Sequence, residues 1–498
     1  MPQRYVLAID QGTTSTRVIL YDESARAIGS ASQELTQHYP QPGWVEHNAE
    51  EIWQAVELLI PRLLGVTGVS PASIAVIGLT NQRETTLMWE RATGKPIHHA
   101  IVWQDRRTSD FCRLFKEREP WVYERTGLVL DPYFSGTKIR WLLDHVAGAR
   151  DAANAGRLAF GTIDSFLIWR LTGGKVHATD VSNASRTLLL NLHNASWDRE
   201  LAAFFDVPCS LLPEVRPSSS LYGTTAGMKS LPDGIPIGGV AGDQQAALFG
   251  QRCFDVGQAK CTYGTGAFFL MQTGHNPTLS RHRLLATLAA TTTSRPQYAV
   301  EGSVFIAGAA VQWLRDGIKL FQNAAQVEAL ARESNPNEEV FFVPALVGLG
   351  APHWVPEARG AILGLTRGTT AADLARAALE GVAWQVVDLI EAAEKDSGAT
   401  LQELRVDGGM SRNDYFLQLQ ADLIGRPLIR TEQAEATALG AAFLAGLQAG
   451  IWADLQSLRS LPMTEQRFQP ALAAELRQRK HGAWQRAVAT TIAHYREG

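Results

Sequence analysis

A chain of 498 residues exceeds what one compact core accommodates, so two or more domains are expected. With 45% hydrophobic and 19% charged residues it is neither disordered nor fibrous. A formal charge of -4, without long runs of one sign, gives no electrostatic reason to expect nucleic acid or an anionic membrane surface as a partner.

The four cysteines, Cys112, Cys209, Cys253 and Cys261, are scattered without a CxxC pair, which argues against a metal or disulfide framework and fits a reducing compartment. The opening MPQRYVLAID enters a strand without the apolar stretch of a secretory signal. No run approaches the roughly 18 to 20 apolar residues of a membrane span, so a soluble, cytoplasmic protein is expected.

Tyr5 to Asp10, Thr16 to Asp22 and Ala27 to Thr36 read as three strands joined by short turns, an antiparallel meander. Asn48 then caps a helix, with Glu51 placed to close a capping box, and Ile52, Val56, Leu59, Ile60 and Leu63 mark its apolar face. After Pro71, Ile74 to Leu79 is a buried strand expected to lie parallel to its neighbours. Past the middle, Ile237 to Ala241 is a glycine-rich strand, and Gln244 to Gly250 a short helix. Gln258 to Thr262 leads into Gly264-Thr265-Gly266, and Phe268 to Met271 leaves it, the plan of LAIDQGTTSTRVIL over again. Leu404 to Asp407 meets Gly408-Gly409, followed by a helix from Asn413, a strand near Leu428 and a helix from Thr437 to Ala449. Two similar α/β halves follow, 1–250 and 251–498, with their Gly-Thr turns facing one another. Glu475 to Tyr495 carries apolar residues at helical spacing and reads as a closing helix.

The candidate chemistry sits on the turns. Asp10-Gln11-Gly12-Thr13-Thr14-Ser15 joins two strands, and three consecutive hydroxyls beside a flexible backbone can form an anion-binding concavity. Arg17 adds a charge suited to phosphate, and an acidic residue at the strand end would repel phosphate unless a cation such as Mg²⁺ intervenes. Asp243, between a strand and a helix, is either a helix N-cap or a general base that accepts a hydroxyl proton as phosphate arrives. Asn81-Gln82-Arg83-Glu84 ends a buried strand, where α/β sheets place ligand contacts; a surface ion pair is the alternative for Arg83 and Glu84. Trp103 and Tyr133 offer aromatic faces for the carbon side of a polyol, or simply fill a core.

Taken together, DQGTTSTR, PGWVEHN, TNQRETT, IVWQDRRT, DPYFSGTK, NASRT, AGDQQAALFGQ, TYGTGAF, GLGAPHW, ARGAILGLTRG, RVDGG and TALGAA resemble the FGGY family of carbohydrate kinases, in family order from end to end. Its two signatures fit Tyr133 to His145 and Gly360 to Glu380. The resemblance implies two actin-like ATPase domains, of the ribonuclease H-like class, with the active site in the cleft between them. It implies ATP-dependent phosphorylation of glycerol at a terminal carbon, since the TNQRE segment points to glycerol within the family. Another polyol or ketose kinase, or an actin-like ATPase that is not a kinase, is the alternative.

By resemblance, Thr13, Thr14, Ser15 and Arg17 would hold nucleotide phosphates, with Thr265 opposite, and Gly308, Gln312, Gly409 and Asn413 would line the rest of the nucleotide site. Asp10 would position Mg²⁺ through water. Arg83, Glu84, Tyr133, Asp243 and Gln244 would hold glycerol, Trp103 and Phe268 would pack on its carbons, and Asp243 would be the base. Certain bacterial members carry a regulatory arginine for fructose 1,6-bisphosphate, or a phosphorylated histidine, before the AGDQQ strand. Here the loop Gly227 to Gly234 has only Lys229, which counts against both controls. Relatives are commonly dimers or tetramers, so a homodimer or homotetramer is expected.

Overall fold

Two hairpins with matching turns organise the computed structural model, which describes residues 3–431 and 435–496. Tyr5–Gln11 (β1) turns at Gly12 and returns as Ser15–Tyr21 (β2), and β2 pairs with Ala27–Glu34 (β3), all antiparallel. After the helix Ala49–Thr67 (α1), Ile74–Asn81 (β4) pairs parallel to β1, and Ile237–Gly242 (β5) pairs parallel to β4. The sheet order is therefore β5-β4-β1-β2-β3. The helix Asp243–Gly250 (α2) follows β5 directly.

The plan then repeats. Ala259–Tyr263 (β6) and Ala267–Gly274 (β7) form the second hairpin, and Leu285–Leu288 (β8) precedes Tyr298–Val304 (β9), which pairs antiparallel with β7. The helices Gly308–Asp316 (α3) and Ala371–Ser397 (α4) come next, then Leu404–Asp407 (β10), parallel to β6. The helix Asp414–Ile424 (α5) leads to Leu428–Thr431 (β11), parallel to β10, and then come Ala436–Gln448 (α6), Glu465–Phe468 (β12) and Ala474–Arg496 (α7). The second sheet runs β8-β9-β7-β6-β10-β11-β12. Without its edge strands β8 and β12, each sheet has the order third, second, first, fourth, fifth in its own strand numbering.

Strand alternation assigns the faces of the first sheet. Leu7, Ile9, Ile77 and Leu79 share a core with Ile52, Val56 and Leu59 of α1, whereas Val6, Ala8, Val76 and Ala241 share another with Phe443 and Leu444 of α6. Helices on both sides explain why β1 and β4 read as continuous apolar runs. The second sheet packs chiefly against α4, where Trp384, Leu379 and Leu389 meet Cys261, Phe269 and Val406. Residues between β4 and β5 add a further packed body around Val122, Phe134, Ile139, Leu142 and Phe205. Among the described residues no helix is long and apolar enough to cross a membrane.

One local expectation fails. Asn48 Oδ1 accepts from the Glu50 N–H at 3.0 Å and so caps α1, but Glu51 closes no capping box. Its carboxylate accepts from Thr36 Oγ1 at 2.7 Å, because the chain leaving β3 passes over the first turn of the helix and offers a nearer donor.

The two halves are joined where α2 and α6 cross. A Cβ on Gly440 would lie 1.9 Å from the Ala246 carbonyl oxygen, and one on Gly250 would lie 2.0 Å from that of Ala436. Gly440→Ala gains up to about 1 kcal/mol of helix propensity but loses about 1–3 kcal/mol to overpacking, so the protein should unfold at lower urea concentration. Gly65→Ala, also in a helix but with no atom within 4 Å of the added carbon, should raise the midpoint instead. Equal shifts of one sign in both variants would refute the close crossing.

Candidate active site

The first Gly-Thr turn is held from below by side-chain amides. Gly12 N–H donates to the Ser15 carbonyl at 2.9 Å, and Gln82 Nε2 donates to the Gly12 carbonyl at 3.2 Å. Gln37 Nε2 donates to the Thr13 carbonyl at 2.9 Å. His47 lies between the two glutamines, accepting at Nδ1 from Gln82 at 3.1 Å and donating from Nε2 to Gln37 Oε1 at 2.9 Å, roles that the neutral ring fills. Burial, with a smaller contribution from His38, pushes the His47 pKa down to about 4. The turn is therefore fixed before any ligand arrives, with Thr14 left exposed.

The second turn faces it. The Thr265 carbonyl accepts from the N–H groups of Ala307 and Ala309, and Gly308 opens α3 so close to Gly264 that a Cβ there would sit 2.6 Å from the Gly264 oxygen. Gln312 lies one helical turn along the same face and is exposed. Gly408, at φ 90°, passes over Tyr263, where a Cβ would come within 2.4 Å of the backbone oxygen, while Gly409 beside it is open. Asn413 caps α5 by accepting from the Phe416 N–H at 2.8 Å. The carboxyl ends of β6 and β10 thus bring Thr265, Gly308 and Gly409 to one place, where open sheets place ligands.

Between the turns lies a cavity of about 730 Å³, lined by Thr13, Thr14, Trp103 and Tyr133 from one half and Thr265, Phe268 and Glu301 from the other. Trp103 and Tyr133 stand edge to face, 5.5 Å apart, and Trp103 Nε1 donates to Thr13 Oγ1 at 2.9 Å. The aromatic wall and the first Gly-Thr turn are therefore tied together.

Below this wall the charges are buried. Arg83 donates to Glu301 through Nη1 at 2.5 Å and Nη2 at 3.0 Å, to Gln245 Oε1 at 3.3 Å, and points Nε at Asp243 Oδ1 at 3.3 Å. Arg186 donates to Glu84 at 2.7 Å and to Glu301 at 3.2 Å. Burial pushes the Glu84 pKa up, against Arg83 and Arg186. Burial would raise Glu301 as well, but Arg186 and Arg83 outweigh it and bring its pKa to about 2. Arg83 and Glu84 are thus not a surface pair.

Asp243 is the first residue of α2 rather than its N-cap, a position taken by Gly242. Its Oδ1 accepts from the Gln244 N–H at 2.7 Å, and its side chain is 29% exposed. Burial raises its pKa, with Arg83 and Lys260 opposing. Lys260 Nζ donates to Gln244 Oε1 and, at 2.9 Å, to Thr262 Oγ1. Asp10 is pushed to about 7 by burial and by facing Asp243 and Glu435, with Arg17 opposing. Arg17, opposite Asp10 in the β1–β2 register, pairs with Glu435.

Among the described residues no group of three or more His, Cys, Asp or Glu is placed to hold a metal alone. A single under-neutralised carboxylate such as Asp10 nevertheless suits a magnesium ion whose other ligands are phosphate and water. Sequence reasoning missed Glu301, Arg186, Lys260 and His47. A glutamate in the otherwise apolar YAVEGSV and a lysine in AKCTY were the available signals, since a charge inside a buried strand requires a partner.

Residues 5–250 match the model described as the FGGY family of carbohydrate kinases, N-terminal domain, and residues 259–449 match its C-terminal domain. The chain is 53% identical over 493 residues to a glycerol kinase of Myxococcus xanthus, covering 98% of this chain and 99% of that one. It is 54% identical over 488 residues to a glycerol kinase of Deinococcus radiodurans, covering 98% and 97%. Among solved structures, a Plasmodium falciparum glycerol kinase with ADP matches with a TM-score of 0.94 at 36% identity, over 98% of each chain. A xylulose kinase of Lactobacillus acidophilus matches at 0.89 with 22% identity over 99% of each chain, a likeness of fold alone.

The neutral His47 makes stability depend on pH. Its folded pKa lies below the unfolded value of 6.5, so its contribution is complete above that value and is lost as pH falls toward 4. Between pH 7 and pH 5 this single group should remove about 2 kcal/mol. Urea unfolding at both pH values should show a smaller loss for His47→Gln than for the parent, and identical losses would exclude the neutral ring.

Proposed function

Since the chain belongs to the FGGY family of carbohydrate kinases, we propose that it transfers the γ-phosphoryl group of ATP to a terminal hydroxyl of glycerol, giving sn-glycerol 3-phosphate and ADP. The observation that carries this reading is a cavity lined by both threonine turns, an aromatic wall and Glu301, whose carboxylate is held by Arg83, the arginine that faces Asp243. Phosphates need the turns and a small uncharged polyol needs the cluster, with Trp103 and Phe268 limiting its carbon skeleton.

In this mechanism Thr13, Thr14, Ser15, Arg17 and Thr265 hold the phosphates from both sides, and Gly308, Gln312, Gly409 and Asn413 receive the rest of the nucleotide. Arg83, Glu84, Tyr133 and Gln244 orient glycerol, and Asp243 accepts the proton of the attacking hydroxyl. As the new O–P bond forms, the bond to the β-phosphate oxygen breaks and ADP leaves. A magnesium ion, held by Asp10 through water, would neutralise charge on the phosphates. Most of the rate comes from positioning, so the two halves, divided near Gly250, contribute as a clamp more than Asp243 does as a base.

Release of ADP measured over a panel of polyols should be greatest with glycerol; turnover no higher than in buffer would overturn the assignment. Asp243→Asn should lower kcat by about 10²- to 10⁴-fold with ATP binding retained, and loss of ATP binding would give Asp243 to the nucleotide instead. Asp10→Asn should raise the magnesium concentration for half-maximal rate by roughly tenfold, and an unchanged requirement would remove Asp10 from the metal.

A further inference from the structure

Glu301 sits on β9, in the second half of the chain, yet the arginines on its carboxylate both come from the first half. One oxygen receives Arg83 Nη1, and the other receives both Arg83 Nη2 and Arg186 Nη2. Arg186 then passes the constraint on to Glu84 Oε1. Arg83, Glu84, Arg186 and Glu301 are at most 3% exposed, so water does not loosen the arrangement. Glu84 also has a φ of 60°, which a residue with a Cβ keeps only when its surroundings impose it. Ser135 and Thr86 hydroxyls donate to its carbonyl, each at 2.9 Å, and Arg186 fixes its side chain.

The donors left over are few. Of the five N–H bonds on Arg83, two go to Glu301, one to Gln245 and one toward Asp243, which leaves one on Nη2. Arg186 Nη1 is buried without a partner, and its guanidinium lies 5.8 Å from the ring of Tyr133, which lines the cavity. Arg83 thus keeps one donor for an incoming hydroxyl, whereas Arg186 Nη1 is enclosed. Without the Glu301 charge, the nearest remaining carboxylate for Arg83 would be Asp243, at 3.3 Å from Nε.

We infer that Glu301 is a positioning residue for the acceptor alcohol: from the second half of the chain it orients Arg83, and through Arg186 it orients Glu84, toward the substrate hydroxyls. The inference rests on the polyol kinase reading above. It makes the acceptor site incomplete unless the second sheet is in place, so that glycerol is gripped only in a cleft whose two sides already meet. Glu301 also holds both Nη atoms of Arg83, so that only Nε faces Asp243.

The test is steady-state kinetics of Glu301→Gln, which keeps the shape and removes the charge, with ATP and acceptor varied separately. The glycerol KM should rise roughly 10- to 100-fold, as expected for losing a charged hydrogen-bond partner, while the ATP KM stays at the parent value. Glu301→Asp should recover part of that loss. Propane-1,2-diol and propane-1,3-diol should not suffer equally, because a diol lacking the oriented hydroxyl has less to lose. An unchanged glycerol KM, equal losses for both substrates, or equal losses for glycerol and both diols would reduce Glu301 to a structural ion pair and overturn the inference. If Glu301→Gln does not fold, Glu301→Asp and Arg186→Lys carry the same comparison. If the parent enzyme prefers another polyol, the glycerol assignment fails and Glu301 is judged on that polyol by the same criteria.

Discussion

Two arginines and two glutamates meet, out of reach of water, where the sheets come together. Removing such charges from solvent is costly, and their mutual attraction offsets the cost only when geometry and hydrogen bonding are nearly complete. The bidentate contact between Arg83 and Glu301 and the bridge from Arg186 to Glu84 meet that condition. Apolar residues of similar volume often replace such a buried cluster without loss of stability, so stability alone does not account for these charges. Other parts of the candidate site lie around this floor: Trp103 and Tyr133 as an aromatic wall, one Gly-Thr turn from each half, and Asp243 beside Arg83.

The crossing of α2 and α6 places that floor. Glycines at the contact let the two backbones approach, and the helices are the next ones in the chain after β5 and β11, the fifth strands of the two sheet cores. Each sheet has a core of its own, and α6 packs in addition on the first sheet, so the second half is anchored to the first through this helix. Closing the cleft on both substrates would exclude the water that competes for the phosphoryl group.

Much of this was legible along the chain. LAIDQGTTSTR and TYGTGAF announce two hairpins with hydroxyl-bearing turns, and the spacing of apolar runs marks the strands and helices that carry them. The residues between β4 and β5 were far less readable, because short helices and two-residue strands leave no sustained periodicity. The capping box at Asn48 failed for a related reason. A local motif specifies what Glu51 can reach, but not that Thr36 will lie closer.

The sequence by itself determined the two repeated hairpins, their hydroxyl-bearing turns and the polar cluster that ends β4, because these depend on contacts between neighbours in the chain and on strand alternation. Only the tertiary structure decided which charges share one floor. Arg83 and Glu301 stand 218 positions apart, and no periodicity connects them. They meet because β4 and β9 belong to different sheets that α2 and α6 bring together, and burial then forces each charge to find its partner.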